Sequence, residues 1–272
     1  MGVDGMKKKG LLFYIRIYRK ILAQDIKSKM SYRADFIIST LGMVLTNVAG
    51  FVSFWVLFRN FSTINGWNYY EMLFLYGFSL VSVTPVQCFF DNNWSLRIYV
   101  RDGDFIKYCF RPINMFFYFQ SEVFDIKGLG QLAFGIGTIV YAWHKMMMPV
   151  TFVAVVKLII FLISASLVMI ALQNAAAATC FWIQNSFYIL DFFFKLKDYA
   201  KYPITIFDPV FRFIFTFVLP IAFIAYYPSL VILRPDSIPV LSWLSPLVGI
   251  LFFYLSYRFW MLGALKYDGT GS

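Results

Sequence analysis

RIYVRDGDFIKYCFRPIN, residues 97–114, is a charged island between two long apolar runs, and its place in the chain decides how the rest is read. Four of its eighteen residues are basic, and Asp102, Gly103 and Asp104 make a turn signal ahead of a short amphipathic run that Arg111 and Pro112 stop. A segment this polar belongs outside a bilayer. The apolar runs on either side are therefore read as crossings, and the island as a cytoplasmic loop built to dock something.

Composition sets the same scene. The chain has 272 residues, 60% of them hydrophobic and 14% charged, with a mean hydropathy of +0.69; soluble domains carry roughly 25% charged residues. Most of it should lie in lipid, as one membrane domain. The net charge of +10 does not point to nucleic acid, because neither an RRM signature nor a helix-turn-helix pattern interrupts the apolar runs and the charges sit at their ends. They read as topology signals.

Residues 36–58 form a first span with no charge inside, long enough at about 1.5 Å per residue to cross a hydrocarbon core of about 30 Å. The second is 72–90, followed by a coupling loop at 91–114. The third, 116–143, carries Glu122, Asp125 and Lys127 in its first half. Then come 149–194, 203–233 and 240–265. Residues 1–33 are expected to be a cytoplasmic tail and 34–272 a single all-α polytopic domain with six transmembrane helices.

The 149–194 segment is either one long bent helix or a hairpin, and charge is used to decide. A single crossing gathers nine basic residues between Lys7 and Arg33, four in the island, three at 195–201, and Arg258 with Lys266 on one face. Arg59, Lys145, Lys157 and Arg234 fall at or near the other face, as the positive-inside rule asks. Both termini are then cytoplasmic. Leu11, Leu12, Ile15, Tyr18 and Leu22 recur among basic neighbours, which describes an amphipathic helix on the inner leaflet rather than a cleavable signal peptide. Residues 1–5 read as an added leader before a natural start at Met6.

Chemistry-bearing motifs are few. There is no GxxxxGK[ST] loop, no HExxH and no GxSxG. Cys88, Cys109 and Cys180 lack metal-like spacing and read as packing residues. His144, the one histidine, reads as a surface residue. Asp102 with Asp104, and Glu122 with Asp125, lie near basic residues and read as salt-bridge formers. Thr46, Asn47, Gln87, Gln173, Asn174 and Gln184 are uncharged polar groups inside apolar runs, and two readings fit them equally: a lined route for a polar or amphipathic molecule, or helix-to-helix hydrogen bonding. Pro203, Pro209 and Pro220 mark helix breaks at membrane depth.

Within the island, Asp104 is expected to cap a helix opening at Phe105. Phe105 with Cys109, and Ile106 with Phe110, pair at i and i+4 on one apolar stripe, leaving Lys107 and Arg111 opposite. Pro112 disfavours helix at Arg111. A short peg of this kind suits a groove on a partner, or alternatively rests on lipid.

The succession of basic interfacial helix, two spans, island and further spans resembles the permease subunit of ABC-2 type exporters. Arg101-Asp102-Gly103-Asp104-Phe105 followed by Arg111-Pro112-Ile113-Asn114 is similar to the pattern of that family's viologen-exporter-like branch. So are Gly66-Trp67, Tyr202-Pro203, FVLPIAF at 217–223, and the ending at Lys266-Tyr267. Cys109-Phe110 departs from it, standing where leucines are expected. The resemblance implies six transmembrane helices of ABC-2 exporter type, an N-terminal interfacial helix, and a cytoplasmic coupling helix between spans 2 and 3. It places ATPase coupling on Arg101, Gly103, Asp104, Phe105, Ile106, Cys109, Phe110, Arg111 and Pro112. It also implies separate ABC ATPase subunits that carry ATP and Mg, no cofactor on this chain, a second permease as homodimer or heterodimer partner, and a bacterial cytoplasmic membrane. An ATP-independent channel or secondary carrier is the alternative, but no inverted repeat or buried ion relay is visible. A lipid-headgroup enzyme would need a catalytic cluster at one interface.

Overall fold

The structure is a computed structural model and describes residues 10–29, 33–183 and 185–267; the expected leader at 1–5 lies outside them. The regular elements among these residues are helices. They are α1 (Leu11–Lys29), α2 (Arg33–Asn60), α3 (Tyr69–Phe89), α4 (Asn93–Arg101), α5 (Ile106–Cys109) and α6 (Met115–Ser121). After them come α7 (Gly128–Lys145), α8 (Phe152–Ala178), α9 (Phe187–Lys195), α10 (Pro209–Phe213), α11 (Tyr226–Leu233) and α12 (Val240–Leu265). Four helical stretches, Ile37–Asn60, Tyr69–Arg101, Phe152–Phe181 and Val240–Leu265, are long and apolar enough to cross a membrane.

Helices α2 and α3 are joined by a tight turn in which Asn65 and Gly66 both take left-handed backbone, with φ of 49° and 79°. Ile64 and Trp67 exchange backbone bonds of 3.0 and 2.9 Å across it. Helix α3 opens on a reciprocal cap: the Asn68 side chain accepts from the Glu71 amide and the Glu71 carboxylate accepts from the Asn68 amide, both at 2.9 Å.

Three expected spans take a different course. The run 116–143 is broken into α6 and α7, because residues 122–127 spend their backbone bonds elsewhere; the Asp125 amide donates to the Cys88 carbonyl at 3.0 Å. The run 149–194 is two helices, not one bent helix. Helix α8 ends at Ala178, and the chain turns about Ser186, whose carbonyl accepts from Ile189 and Leu190 to start α9. Phe187 then lies over Arg97 of α4, Tyr202 stands 5.6 Å from Phe54 of α2, and Asn65 donates to the Thr205 carbonyl. Residues 187–205 therefore run from the island end of the bundle to the opposite end.

The run 203–233 is likewise not one straight helix. Helix α10, extended by a π-turn over Ile214–Val218, meets the segment Ile221–Leu233 at 71°. Pro220 has no amide to continue the ladder, so the chain bends sharply there. Both ends of this bent pair return to the same place: Thr205 accepts from Asn65, while Arg234 pairs with Glu71 at 3.0 Å and donates to the Gly66 carbonyl.

Close backbone approach holds the long helices together. A Cβ added at Gly77 would stand 2.9 Å from the Gly135 carbonyl, so α3 and α7 meet where neither has a side chain. On α12, a Cβ at Gly249 would stand 2.5 Å from the Ser164 carbonyl of α8. Ser164 also donates to the Ser245 carbonyl at 2.6 Å. Gly249→Val is expected to wedge α8 from α12 and cost about 3 kcal/mol, the upper range for overpacking. Gly137→Val, with nothing within 4 Å of the new Cβ, should melt like the parent in the same detergent.

Candidate functional site

The island is anchored by one face and open on the other. Gly103, with φ of +85°, reverses the chain after α4, and the Phe105 amide bonds the Tyr99 carbonyl at 2.9 Å. Phe105 and Tyr108 are fully buried. The Phe105 ring has Phe181, Tyr267, Tyr108 and Trp260 at centroid distances of 5.1, 5.2, 5.4 and 5.9 Å. The Tyr108 hydroxyl makes a short hydrogen bond to the Glu122 carboxylate. Burial, and then that carboxylate, push the Tyr108 phenol above its ordinary value, so it stays a proton donor. Lys107 reaches the same carboxylate at 3.4 Å while lying over the Tyr99 ring.

Two expectations are corrected here. Asp104 does not cap: α5 is a single turn whose first flanking residue is Phe105, without a side-chain bond at that cap. Phe105 does not share the outward stripe, because the i and i+3 pair Phe105 and Tyr108 takes the buried side. What faces outward is Ile106, Cys109 and Phe110, with Phe110 81% exposed. Arg111 and Pro112 are also exposed, Arg111 over the Tyr118 ring at 4.6 Å. Arg101 pairs with Asp102 at 2.7 Å. Asn114 caps α6 through the Phe117 amide and ties it to α12 through the Tyr257 hydroxyl, each at 2.9 Å.

A cavity of about 470 Å³ opens among α2, α3, α7 and the chain around residue 198. Thr46, Asn47 and Gln87, three of the polar residues singled out from sequence, line it together with Tyr76 and Gln131. The Tyr76 hydroxyl donates to the Asn47 carbonyl at 2.8 Å. The Asn47 side-chain nitrogen and the Gln87 side-chain oxygen are buried without a hydrogen-bond partner. Gln173 and Asn174 are elsewhere: Asn174 accepts from Asn93 at 2.7 Å, and Asn93 accepts from Gln120 at 2.8 Å, a packing network joining α4, α6 and α8. Gln184 lies outside the described residues.

Lys197, Asp198 and Lys201, in the run 195–201 that the charge count puts on the cytoplasmic face, also line the cavity. The signal that finds them is their spacing: Phe194, Lys197, Asp198 and Lys201 recur at three or four residues, and all four line this one cavity. The pair of Glu71 and Arg234 was missed as well.

Residues 44–271 match the family model described as ABC-2 family transporter protein. The chain belongs to that family. No curated protein and no solved structure matches it. As an ABC-2 family member it is the membrane component of a transporter, a multi-pass permease of a kind that normally works with an ABC ATPase.

In this ABC-2 permease, residues 122–127 join three parts. Glu122 takes the island through Tyr108, and Asp125 takes the end of α3 through Cys88. Phe124 takes α1: its amide donates to the Asp25 carboxylate at 3.0 Å and its carbonyl accepts from Lys29 at 2.6 Å. Asp25→Ala is expected to remove this clasp, leaving the Phe124 amide without its acceptor at a cost of about 1–2 kcal/mol. Hydrogen exchange should show α1 losing protection while α8 and α12 keep theirs.

Proposed function

We propose that the chain is the permease subunit of an ATP-driven exporter, docking a separate ATPase through the outward face of α5 and carrying cargo through the cavity beside α2, α3 and residues 194–201. The observation that carries this reading is the construction of the island. A loop that merely joined two spans would not bury Phe105 and Tyr108 completely while holding Phe110 out at 81% exposure. ATP and Mg stay on the ATPase, and its closure pushes the peg.

Six crossings are proposed, by α2, α3, α6 with α7, α8, residues 187–206, and α12. The bent pair at 209–233 enters from the far side and returns to it. The island and both termini are then cytoplasmic in a bacterial inner membrane, which keeps the basic tail and island on the positive side. A second permease, identical or related, completes the path. The motifs around 101–114 favour the viologen-exporter-like branch.

A cysteine placed at Ile206 in a cysteine-free background is expected to react with an impermeant maleimide added outside intact cells. Labelling only after lysis would overturn the proposed crossing at 187–206. Vesicles holding the permease with its ATPase should move cargo only with ATP. Equal transport without the ATPase would favour a self-contained channel or carrier.

A further inference from the structure

We infer that the cavity is a site for an amphipathic anion, whose acidic group sits between Lys197 and Lys201. This rests on the reading of the cavity as the cargo path. The cavity is lined by Lys197, Asp198 and Lys201, so its formal charge is two minus one, or +1. Among the described residues, none of the three has an ion-pair partner within 4 Å. The ammonium groups rest on aromatic faces instead, Lys197 at 3.8 Å from the Phe194 ring centroid and Lys201 at 5.5 Å from that of Tyr202.

Lys201 stands beside the interior of the bundle: Tyr202, under its ammonium group, is 5.6 Å from Phe54, and Phe54 is 5.5 Å from Tyr76. Lys197 stands nearer the island, its partner ring Phe194 lying 5.3 Å from Trp94 of α4, and Asp198 is exposed. Cations beside an apolar interior are costly, and they face a cavity or mark a substrate path. In this low-dielectric setting an acidic group gains from two ammonium groups at once. The buried Asn47 nitrogen, without a partner in the same wall, supplies a further donor. Met43, Leu80 and Val83 complete the lining and suit an apolar tail. A cation meets one carboxylate and two repelling ammonium groups. Asp198 also limits how tightly an anion is held, which favours release.

The test uses the full chain in phosphatidylcholine nanodiscs, without any ATPase, and three dansyl-undecyl probes ending in carboxylate, carboxamide or trimethylammonium. The carboxylate is expected to bind at least about tenfold tighter than the ammonium. Lys197→Gln and Lys201→Gln should each weaken it about fivefold or more, and Asp198→Asn should tighten it. Lys197→Arg, which keeps the charge, should bind like the parent and guards against a folding artefact, with melting curves recorded for every variant. Equal or stronger binding of the ammonium probe, or parental affinity in both folded glutamine variants, overturns the inference. Because no ATPase is present, a carboxylate-selective site in a chain that shows no ATP-driven transport would support the inference and sink the exporter reading instead.

Discussion

Ile106→Asp with Phe110→Asp is expected to weaken ATPase capture by at least about 30-fold while the permease melts as before. Neither side chain contributes to the core: Ile106 is 43% exposed and Phe110 81%. An apolar anchor at the centre of an interface is worth about 2 kcal/mol or more on truncation, and each 1.4 kcal/mol is about tenfold in affinity. The aspartates do more than truncate, since they place two negative charges beside Lys107 and Arg111 and leave desolvated carboxylates against whatever groove receives the peg. Co-purification with the cognate ATPase and titration of the purified pair read the effect directly. A peg that only rested on lipid would give parental capture.

How far the sequence carries is seen by comparing helices. Helices α2, α3 and α12 follow from uninterrupted apolar runs closed by charge or turn residues, and each falls within a few residues of its expected bounds. Helix α9 does not follow, because an apolar run carries no information about the direction of travel. Ser186, about which the chain turns, sits inside a run that reads as one helix. On the proposed crossing at 187–206 the charge count for 195–201 does not hold, since the positive-inside rule applies to loops and Lys197 and Lys201 line the cavity. Pro220 was visible as a break, but a proline fixes only that the ladder stops, not that the chain returns to Glu71.

For the site, the position and polarity of the island were legible from Asp102, Gly103 and Asp104. Which of its apolar residues turn inward was not. One helical turn offers two apolar faces, and Phe105 with Tyr108 takes the inner one only because Trp260, Phe181 and Tyr267 arrive there from distant parts of the chain. Asn47 and Gln87 were found by their cost in hydrocarbon. The same argument selected Asn174, which instead ties α8 to α4 through Asn93, and Gln173, whose side-chain oxygen is buried without a partner away from the cavity.

Phe105→Ala is expected to have the largest effect on stability, about 3–5 kcal/mol, the range for emptying a buried aromatic site. The ring has no exposed surface and four other rings close around it at under 6 Å, so neighbouring residues cannot collapse inward without breaking their own contacts. Phe105→Leu, which keeps part of the volume, should lose less. Thermal melting by circular dichroism separates the two, and a parental midpoint for the alanine variant would show that the ring is not the anchor. The consequence for coupling follows from what the ring touches. Phe181 closes the end of α8 and Trp260 belongs to α12, the two helices whose backbones meet at Ser164 and Gly249. On the proposed coupling, force applied at Phe110 would reach that seam through Phe105. A Phe105→Ala permease that still binds its ATPase should hydrolyse ATP with reduced transport per ATP, whereas the Ile106 and Phe110 variant should lose binding and hydrolytic stimulation together.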